Sequence, residues 1–245
     1  MGLRLGMVLP SSNTVVEPVA IAIAADLPGT AVHFARFALT AVNVADPAAA
    51  YYDSGAILGA ARLLADARCD AICWNGSAGG LVGIARDRAL VRDISAVTGI
   101  PATTSSLALL AELGRLGTHR IGLVTLNTPA MNATITRHFA AEGIEVVAST
   151  HRTDMVDNFA MAQVDPLEVA DAVRTSAGRP GVQAVVVYGT NTRGASVAAP
   201  LMRELGMPVL DSVAWGVFGA IQASGTVLAS QSKLQGWGAM PSGVI

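Results

Sequence analysis

The sequence of 245 residues contains only two cysteines, Cys69 and Cys73, and they lie four residues apart. A single close pair supplies neither the disulfide framework nor the four-ligand zinc site that stabilises many small domains. A chain of this length buries enough apolar surface to fold without either. We therefore expect no metal site and a reducing compartment, the cytoplasm.

Charged residues are also scarce, at 14% of the chain, and the formal net charge is −2. Lysine and arginine form no run, so the basic patch typical of proteins that bind nucleic acid or anionic membranes is missing. No apolar stretch approaches the roughly 18 residues of a membrane span, and nothing near Arg4 has the pattern of a signal peptide. The expected partners are a small-molecule substrate and copies of the chain itself, in a homo-oligomer, with no nucleic acid and no membrane.

Aromatic residues make up 4% of the chain, whereas hydrophobic residues make up 52%. This composition is typical of buried parallel strands covered by alanine-rich helices. Short β-type runs, such as residues 31–37 and 71–74, alternate with helical stretches such as 81–97 and 105–116. The alternation predicts βαβ crossovers, so the expected fold class is α/β.

The second part of the chain repeats the plan of the first. Three pairs of segments match: 4–9 with 120–125, 70–77 with 183–190, and 99–101 with 206–208. The repeat predicts two pseudo-symmetric βα halves, each with a mostly parallel sheet flanked by helices, and a ligand cleft between them. We assign residues 1–115 plus 208–245 to the first half and 116–207 to the second.

Ligands of open α/β sheets bind beyond the carboxyl ends of the strands, and in this sequence those places are polar. They are residues 11–13 (Ser-Ser-Asn), 75–77 (Asn-Gly-Ser), 125–127 (Thr-Leu-Asn) and 189–191 (Gly-Thr-Asn). Amides and hydroxyls at helix starts can hold a carboxylate, and the same residue types also serve as plain helix caps and tight turns. The 75–80 segment is not a nucleotide-binding loop, because it lacks the P-loop lysine and the GxGxxG spacing.

Several of these segments resemble maleate cis-trans isomerases and arylmalonate decarboxylases of the aspartate/glutamate racemase superfamily. The resemblance covers nearly the whole chain and is carried by residues 10–18 (Pro-Ser-Ser-Asn-Thr-Val-Val-Glu-Pro), 157–158, 188–193 and 206–212. It implies a two-domain α/β architecture that works without a metal or an organic cofactor. It also implies a cleft in which one cysteine from each half faces a substrate whose carboxylate is held by amides and hydroxyls.

Asn13 and Asn158 match the asparagines that contact substrate in this family. Asn75, however, stands where the family has its first catalytic cysteine, Gly189 where it has the second, and Asn127 where a tyrosine helps hold the carboxylate. The two-cysteine mechanism is therefore not expected. On a strand, Cys73 would face the same side as Asn75 and could substitute, or it could be a small buried hydrophobe.

These considerations give two sets of candidate residues. The candidate catalytic residues are Asn75 and Cys73, and the candidate substrate-binding residues are Ser12, Asn13, Gly76, Ser77, Asn127, Asn158, Gly189, Thr190 and Asn191. The expected function is a cofactor-independent isomerase or lyase that acts on a small carboxylate or related carbonyl compound by polarising it or stabilising an enediolate. Two alternatives stay open: a hydrolase or isomerase of a small neutral amide or cyclic substrate, and a non-catalytic small-molecule binding protein.

Overall fold

The computed structural model describes residues 2–39, 54–152, 157–226 and 234–238. The elements up to residue 115 are β1 (Arg4–Pro10), α1 (Val16–Ala25), β2 (Ala31–Phe37), α2 (Ser54–Asp66), β3 (Ala71–Trp74), α3 (Gly79–Val82), α4 (Ile84–Thr98), β4 (Ala102–Thr104) and α5 (Ser105–Arg115). The later elements are β5 (Arg120–Val124), α6 (Pro129–Ala141), β6 (Glu145–Thr150), α7 (Asn158–Met161), α8 (Pro166–Ala177), β7 (Ala184–Val187), α9 (Ala195–Leu205), β8 (Val209–Asp211), α10 (Ser212–Ala223) and a 3₁₀ helix (Leu234–Trp237).

Two four-stranded sheets of parallel strands form the fold, in the orders β2-β1-β3-β4 and β6-β5-β7-β8. The repeat in the sequence corresponds to equal register in the two sheets, because Leu5 of β1 pairs with Ala71 of β3 and Ile121 of β5 pairs with Ala184 of β7. Helices flank both sheets. The α/β fold class with two parallel sheets is thereby confirmed.

One apolar core joins the facing sides of the two sheets. Alternate residues of β1, such as Met7, face this core, which also contains Leu123 of β5 and Val186 of β7. The intervening Val8 and its neighbour Trp74 face a separate cluster on the far side of the first sheet, as the alternation of side chains along a strand requires. The two halves therefore bury a continuous apolar interface.

The chain crosses back to the first half later than residue 208. Strand β8 pairs with β7 in the second sheet, through Val185 with Val209 and Val187 with Asp211. Helix α10, which is buried from Ser212 to Ile221, then packs on α5, β3 and β4 of the first half. The predicted boundary therefore needs one correction, in that residues 209–211 lie in the second sheet and the returning segment begins with α10.

None of the helices within the described residues is long and apolar enough to cross a membrane.

Candidate active site

A cavity lies where the carboxyl ends of the two sheets meet. Its volume, counted with its open mouth, is about 480 Å³. The apolar part of the wall is formed by Pro10, Trp74, Leu81 and Met161. The polar part of the wall consists of residues predicted from the sequence, namely Asn13, Gly76, Ser77, Asn127, Asn158, Gly189, Thr190 and Asn191. The structure thus brings strand ends of both halves to one cavity.

The first half contributes the segment that follows β3. The Asn75 N–H donates to the Val8 carbonyl at 3.0 Å, and after this last strand contact Gly76 and Ser77 turn into the cavity wall. A side chain at Gly76 would bring its Cβ within 2.5 Å of Trp74 Cε2, so only glycine lets the indole pack here. Within the described residues, the backbone N–H groups of Gly76 and Ser77 and the Ser77 hydroxyl have no hydrogen-bond partner.

The second half contributes the equivalent segment after β7. The Gly189 N–H donates to Ser212 Oγ at 3.0 Å, which fixes the start of the segment. The next two backbone N–H groups, of Thr190 and Asn191, and the Thr190 hydroxyl have no partner in the described part of the chain. The cavity is therefore lined from two sides by residues that carry unpaired hydrogen-bond donors, an arrangement that suits an anion such as a carboxylate.

Three of the predicted substrate-binding asparagines use their side chains to join the two halves. Asn13 Nδ2 donates to the Thr190 carbonyl at 2.9 Å, while Asn13 Oδ1 caps α1 by accepting from the N–H of Val15 and Val16. Asn191 Oδ1 accepts from the Thr14 N–H at 3.0 Å, and its Nδ2 donates to the carbonyl of Asn158.

The third of these asparagines makes the same kind of link. Asn158 Nδ2 donates to Ser12 Oγ at 2.8 Å, and the Ser12 hydroxyl donates to the Leu39 carbonyl at 2.5 Å. Ser12 is not part of the described cavity wall. These residues shape the cavity chiefly by holding its walls together, and their roles in substrate binding stay predictions.

Asn75 does not reach the cavity within the described structure. Its side chain is fully buried, where Oδ1 accepts from Ser105 Oγ at 3.0 Å and Nδ2 donates to the Val213 carbonyl at 3.2 Å. Those partners belong to α5 and α10, so Asn75 joins the two helices that lie between the sheets. Its catalytic role stays a prediction that this geometry does not favour.

Cys73 does not line the cavity within the described residues either. It is fully buried in the core between the sheets, as its alternation with Trp74 along β3 requires. Burial, with Asp87 nearby, raises the pKa of the Cys73 thiol far above its usual value, although a hydrogen bond with Ser105 opposes the shift. A buried thiol of this kind is a poor source of thiolate, so the geometry favours the small buried hydrophobe.

Asn75 and Asn127 are expected to respond oppositely to substitution by alanine. Asn75→Ala removes the buried hydrogen bonds to Ser105 Oγ and the Val213 carbonyl, and we expect it to lower the free energy of unfolding by about 2 kcal/mol with turnover per folded molecule nearly unchanged. Asn127 lines the cavity, and its side chain makes no hydrogen bond in the described part of the chain, so Asn127→Ala should lower turnover at unchanged stability. Urea denaturation and steady-state kinetics on both variants measure this, and lost turnover in fully folded Asn75→Ala would restore the catalytic assignment.

Two carboxyl groups, those of Asp87 and Asp211, are buried in the structure, and the sequence does not reveal the burial of either. Burial raises the pKa of Asp87 to about 6, against hydrogen bonds from Thr104 and Ser106, and raises that of Asp211 to about 7, against those from the N–H groups of Ala214 and Val213. In the sequence, Asp87 looks like a surface charge because arginines flank it. Within the described residues, no titratable side chain lines the cavity, and no three His, Cys, Asp or Glu side chains cluster as a metal site would need.

Comparison with known proteins agrees with this architecture. The crystal structure of the maleate isomerase Iso from Pseudomonas putida superimposes with a TM-score of 0.82 at 23% identity, covering 91% of this chain and 93% of that one. The Nocardia farcinica maleate cis-trans isomerase bound to TRIS gives 0.81 at 22% identity over 95% and 98%. A crystal structure of arylmalonate decarboxylase gives 0.75 at 21% identity over 94% and 96%. At these identities the likeness establishes the fold alone.

Sequence comparison identifies the family. The arylmalonate decarboxylase of Bordetella bronchiseptica is 28% identical over 144 residues, which are 58% of this chain, and the match spans only 60% of that enzyme's length. The family model described as arylmalonate decarboxylase matches residues 5–235. The chain therefore belongs to the arylmalonate decarboxylase family.

Proposed function

We propose that the protein is a cofactor-independent lyase that removes carbon dioxide from a small malonate-type dicarboxylate. The supporting observation is the set of unpaired donors that face the cavity from both halves, from Gly76 and Ser77 on one side and Thr190 and Asn191 on the other. In this reaction the bond between the α-carbon and the leaving carboxylate breaks. Its electron pair passes to the remaining carboxylate as an enediolate, whose two negative oxygens the donors stabilise.

The proton balance favours decarboxylation over racemisation. After carbon dioxide has left, the α-carbon takes up one proton on one face. A water molecule can supply this proton, and the hydroxide left behind combines with the released carbon dioxide as bicarbonate. Racemisation needs an acid or base of the protein on each side of the carbon, and isomerisation through a cysteine adduct needs a thiolate nucleophile in the cavity. Neither cysteine lines the cavity within the described residues, so a two-cysteine mechanism is not part of this proposal.

Proton NMR in deuterium oxide tests the proposal directly. The purified protein, treated with chelator, is incubated with alkyl- and arylmalonates, maleate, amino acids and small cyclic amides. We expect a malonate to be consumed with one deuteron incorporated at the α-carbon per turnover. Prior treatment with iodoacetamide should leave the rate unchanged, because both thiols are buried.

Each other outcome selects a different function. Conversion of maleate, abolished by iodoacetamide, would favour the family's thiol chemistry, and opening of a cyclic amide would favour the hydrolase alternative. Ligand line broadening without turnover of any compound would favour a binding protein, and either of the last two results would overturn the proposed lyase.

A further inference from the structure

Tyr188 belongs to the second half by sequence but has its hydroxyl in the first half. It is the residue before Gly189, and its buried ring packs edge-on against Phe139 with the ring centroids 5.1 Å apart. The hydroxyl accepts from the Gly80 N–H at 2.8 Å and lies 2.7 Å from Ser106 Oγ. One side chain therefore connects the segment after β7 with the segment after β3.

Asp87 is a buried neighbour of the same segment. Its Oδ2 accepts from Thr104 Oγ1 at 2.6 Å, and its Oδ1 has no hydrogen-bond partner in the described part of the chain. Burial raises the pKa of the Tyr188 hydroxyl above its usual value, so the hydroxyl stays protonated while it accepts from the Gly80 N–H and contacts Ser106 Oγ.

The same two side chains clamp the backbone of the first-half segment. A Cβ on Gly79 would lie 2.5 Å from Asp87 Oδ2, and one on Gly80 would lie 2.6 Å from Tyr188 Cε1. On its other side, the Gly80 carbonyl lies 2.8 Å from His138 Nδ1. The peptide groups of Gly80 are thus held from both sides, only three residues beyond Ser77.

We propose that Tyr188 is a positioning residue, whose hydroxyl fixes the Gly76–Ser77 donors relative to the Thr190–Asn191 donors across the cavity. The inference rests on the proposed function for its catalytic consequence. Donors that stabilise an enediolate act only when they lie at hydrogen-bond distance from both oxygens, and a misplacement of 1 Å costs on the order of 100-fold in rate. A hydroxyl that links the two donor segments meets this requirement, although it touches no substrate.

The Tyr188→Phe variant removes the hydroxyl and keeps the ring against Phe139. We expect kcat to fall by about 10- to 100-fold with KM changed by less than about threefold, because the donors act mainly in the transition state. The matched control is Phe139→Leu, which weakens the ring packing and leaves the hydroxyl in place. It should lower the melting temperature at least as much as Tyr188→Phe while retaining kcat, and equal kcat losses in both variants would reduce Tyr188 to a packing residue.

Amide hydrogen exchange tests the inference without any turnover. In Tyr188→Phe we expect exchange to accelerate by about 10-fold both at the Gly80 N–H and at the Gly189 N–H, which are hydrogen-bonded in the wild type, since each segment loses its tie to the other. Acceleration confined to residues 76–80, or none, would overturn the inference. If the wild-type protein turns over no substrate, the proposed function fails, and the exchange pattern still decides whether Tyr188 couples the segments.

Discussion

Ser77→Ala is expected to lower kcat on the malonate substrate by about 100-fold, which is the usual effect of removing one donor from an anion-stabilising site. The Ser77 hydroxyl lines the cavity and has no hydrogen-bond partner in the described part of the chain. Its removal therefore breaks no internal contact and should leave the unfolding free energy unchanged. Steady-state kinetics with carbon dioxide release as the readout, together with thermal denaturation, measure both quantities.

The loss should appear in kcat rather than in KM. The substrate carboxylate already has its charge in the ground state, whereas the enediolate concentrates negative charge on the same oxygens as carbon dioxide leaves. A donor whose hydrogen bond is stronger to the developing enediolate than to the bound substrate lowers the activation barrier without tightening substrate binding. A rise in KM at constant kcat would instead assign Ser77 to ground-state binding and contradict its place in the proposed mechanism.

Thr190→Val provides the corresponding test from the second half. Valine keeps the branched shape and removes only the hydroxyl, and Thr175→Val on the exposed face of α8 serves as the control for the substitution itself. The combined Ser77→Ala and Thr190→Val variant should lose less than the product of the single losses, because both donors act on one enediolate. Full multiplicativity would indicate two independent sites and argue against a shared cavity.

Much of the fold can be predicted from the sequence, because buried parallel strands appear as short apolar runs. The bounds of β2 (Ala31–Phe37) and β3 (Ala71–Trp74) coincide with the predicted runs. The return of the chain could not be located, because α10 is apolar on all sides and its sequence does not distinguish the sheets between which it packs. For that reason the sequence does not reveal that the run around Val209 pairs with β7 in the second sheet.

The candidate site was predicted in its location but only partly in its chemistry. The rule that ligands bind at the carboxyl ends of strands points to Ser77 and Thr190, which line one cavity, and their roles in substrate binding stay predictions. The hydrogen bond of Asn13 to the Thr190 carbonyl joins residues 177 positions apart, and no local pattern reveals such a partner. The sequence therefore predicts which polar residues lie at the strand ends. Only the structure shows which of them have unpaired hydrogen-bond donors and which use their side chains to bond the two halves together.

Asp211 occupies an unusual position for a carboxylate. It is fully buried, and its Oδ1 caps α10 by accepting from the N–H groups of Val213 and Ala214 at 2.9 and 3.0 Å. Its Oδ2 has no partner in the described part of the chain, and the Cα of Gly194 packs so closely against it that a side chain there would clash. Loss of solvation outweighs the two hydrogen bonds and raises the pKa of Asp211 from 3.8 to about 7.

This shift determines how stability depends on pH. The folded protein binds a proton at Asp211 up to a pH of about 7, whereas the unfolded chain releases it near pH 4. Between these pH values the folded state therefore holds one proton more than the unfolded chain. The stabilisation is fully present below about pH 4 and is lost as the pH rises to about 7. A shift of about three units corresponds to about 4 kcal/mol.

Asp211→Asn should remove this dependence, because the amide stays neutral while its oxygen can still cap α10. Relative to the wild type, we expect the unfolding free energy of the variant to rise by about 4 kcal/mol between pH 4 and pH 8 and then to level off. Urea denaturation across this range measures the difference, in which other titrations such as that of Asp87 cancel. The control is Asp165→Asn, at the exposed N-cap of α8. Its unfolding free energy relative to the wild type should not grow with pH, because this cap is exposed and the raised pKa of Asp211 comes from burial. A difference in unfolding free energy between Asp211→Asn and the wild type that stays constant with pH would contradict the prediction. It would mean that the carboxylate ionises in the folded state as easily as in the unfolded chain, and that the Gly194 contact stabilises α10 irrespective of charge.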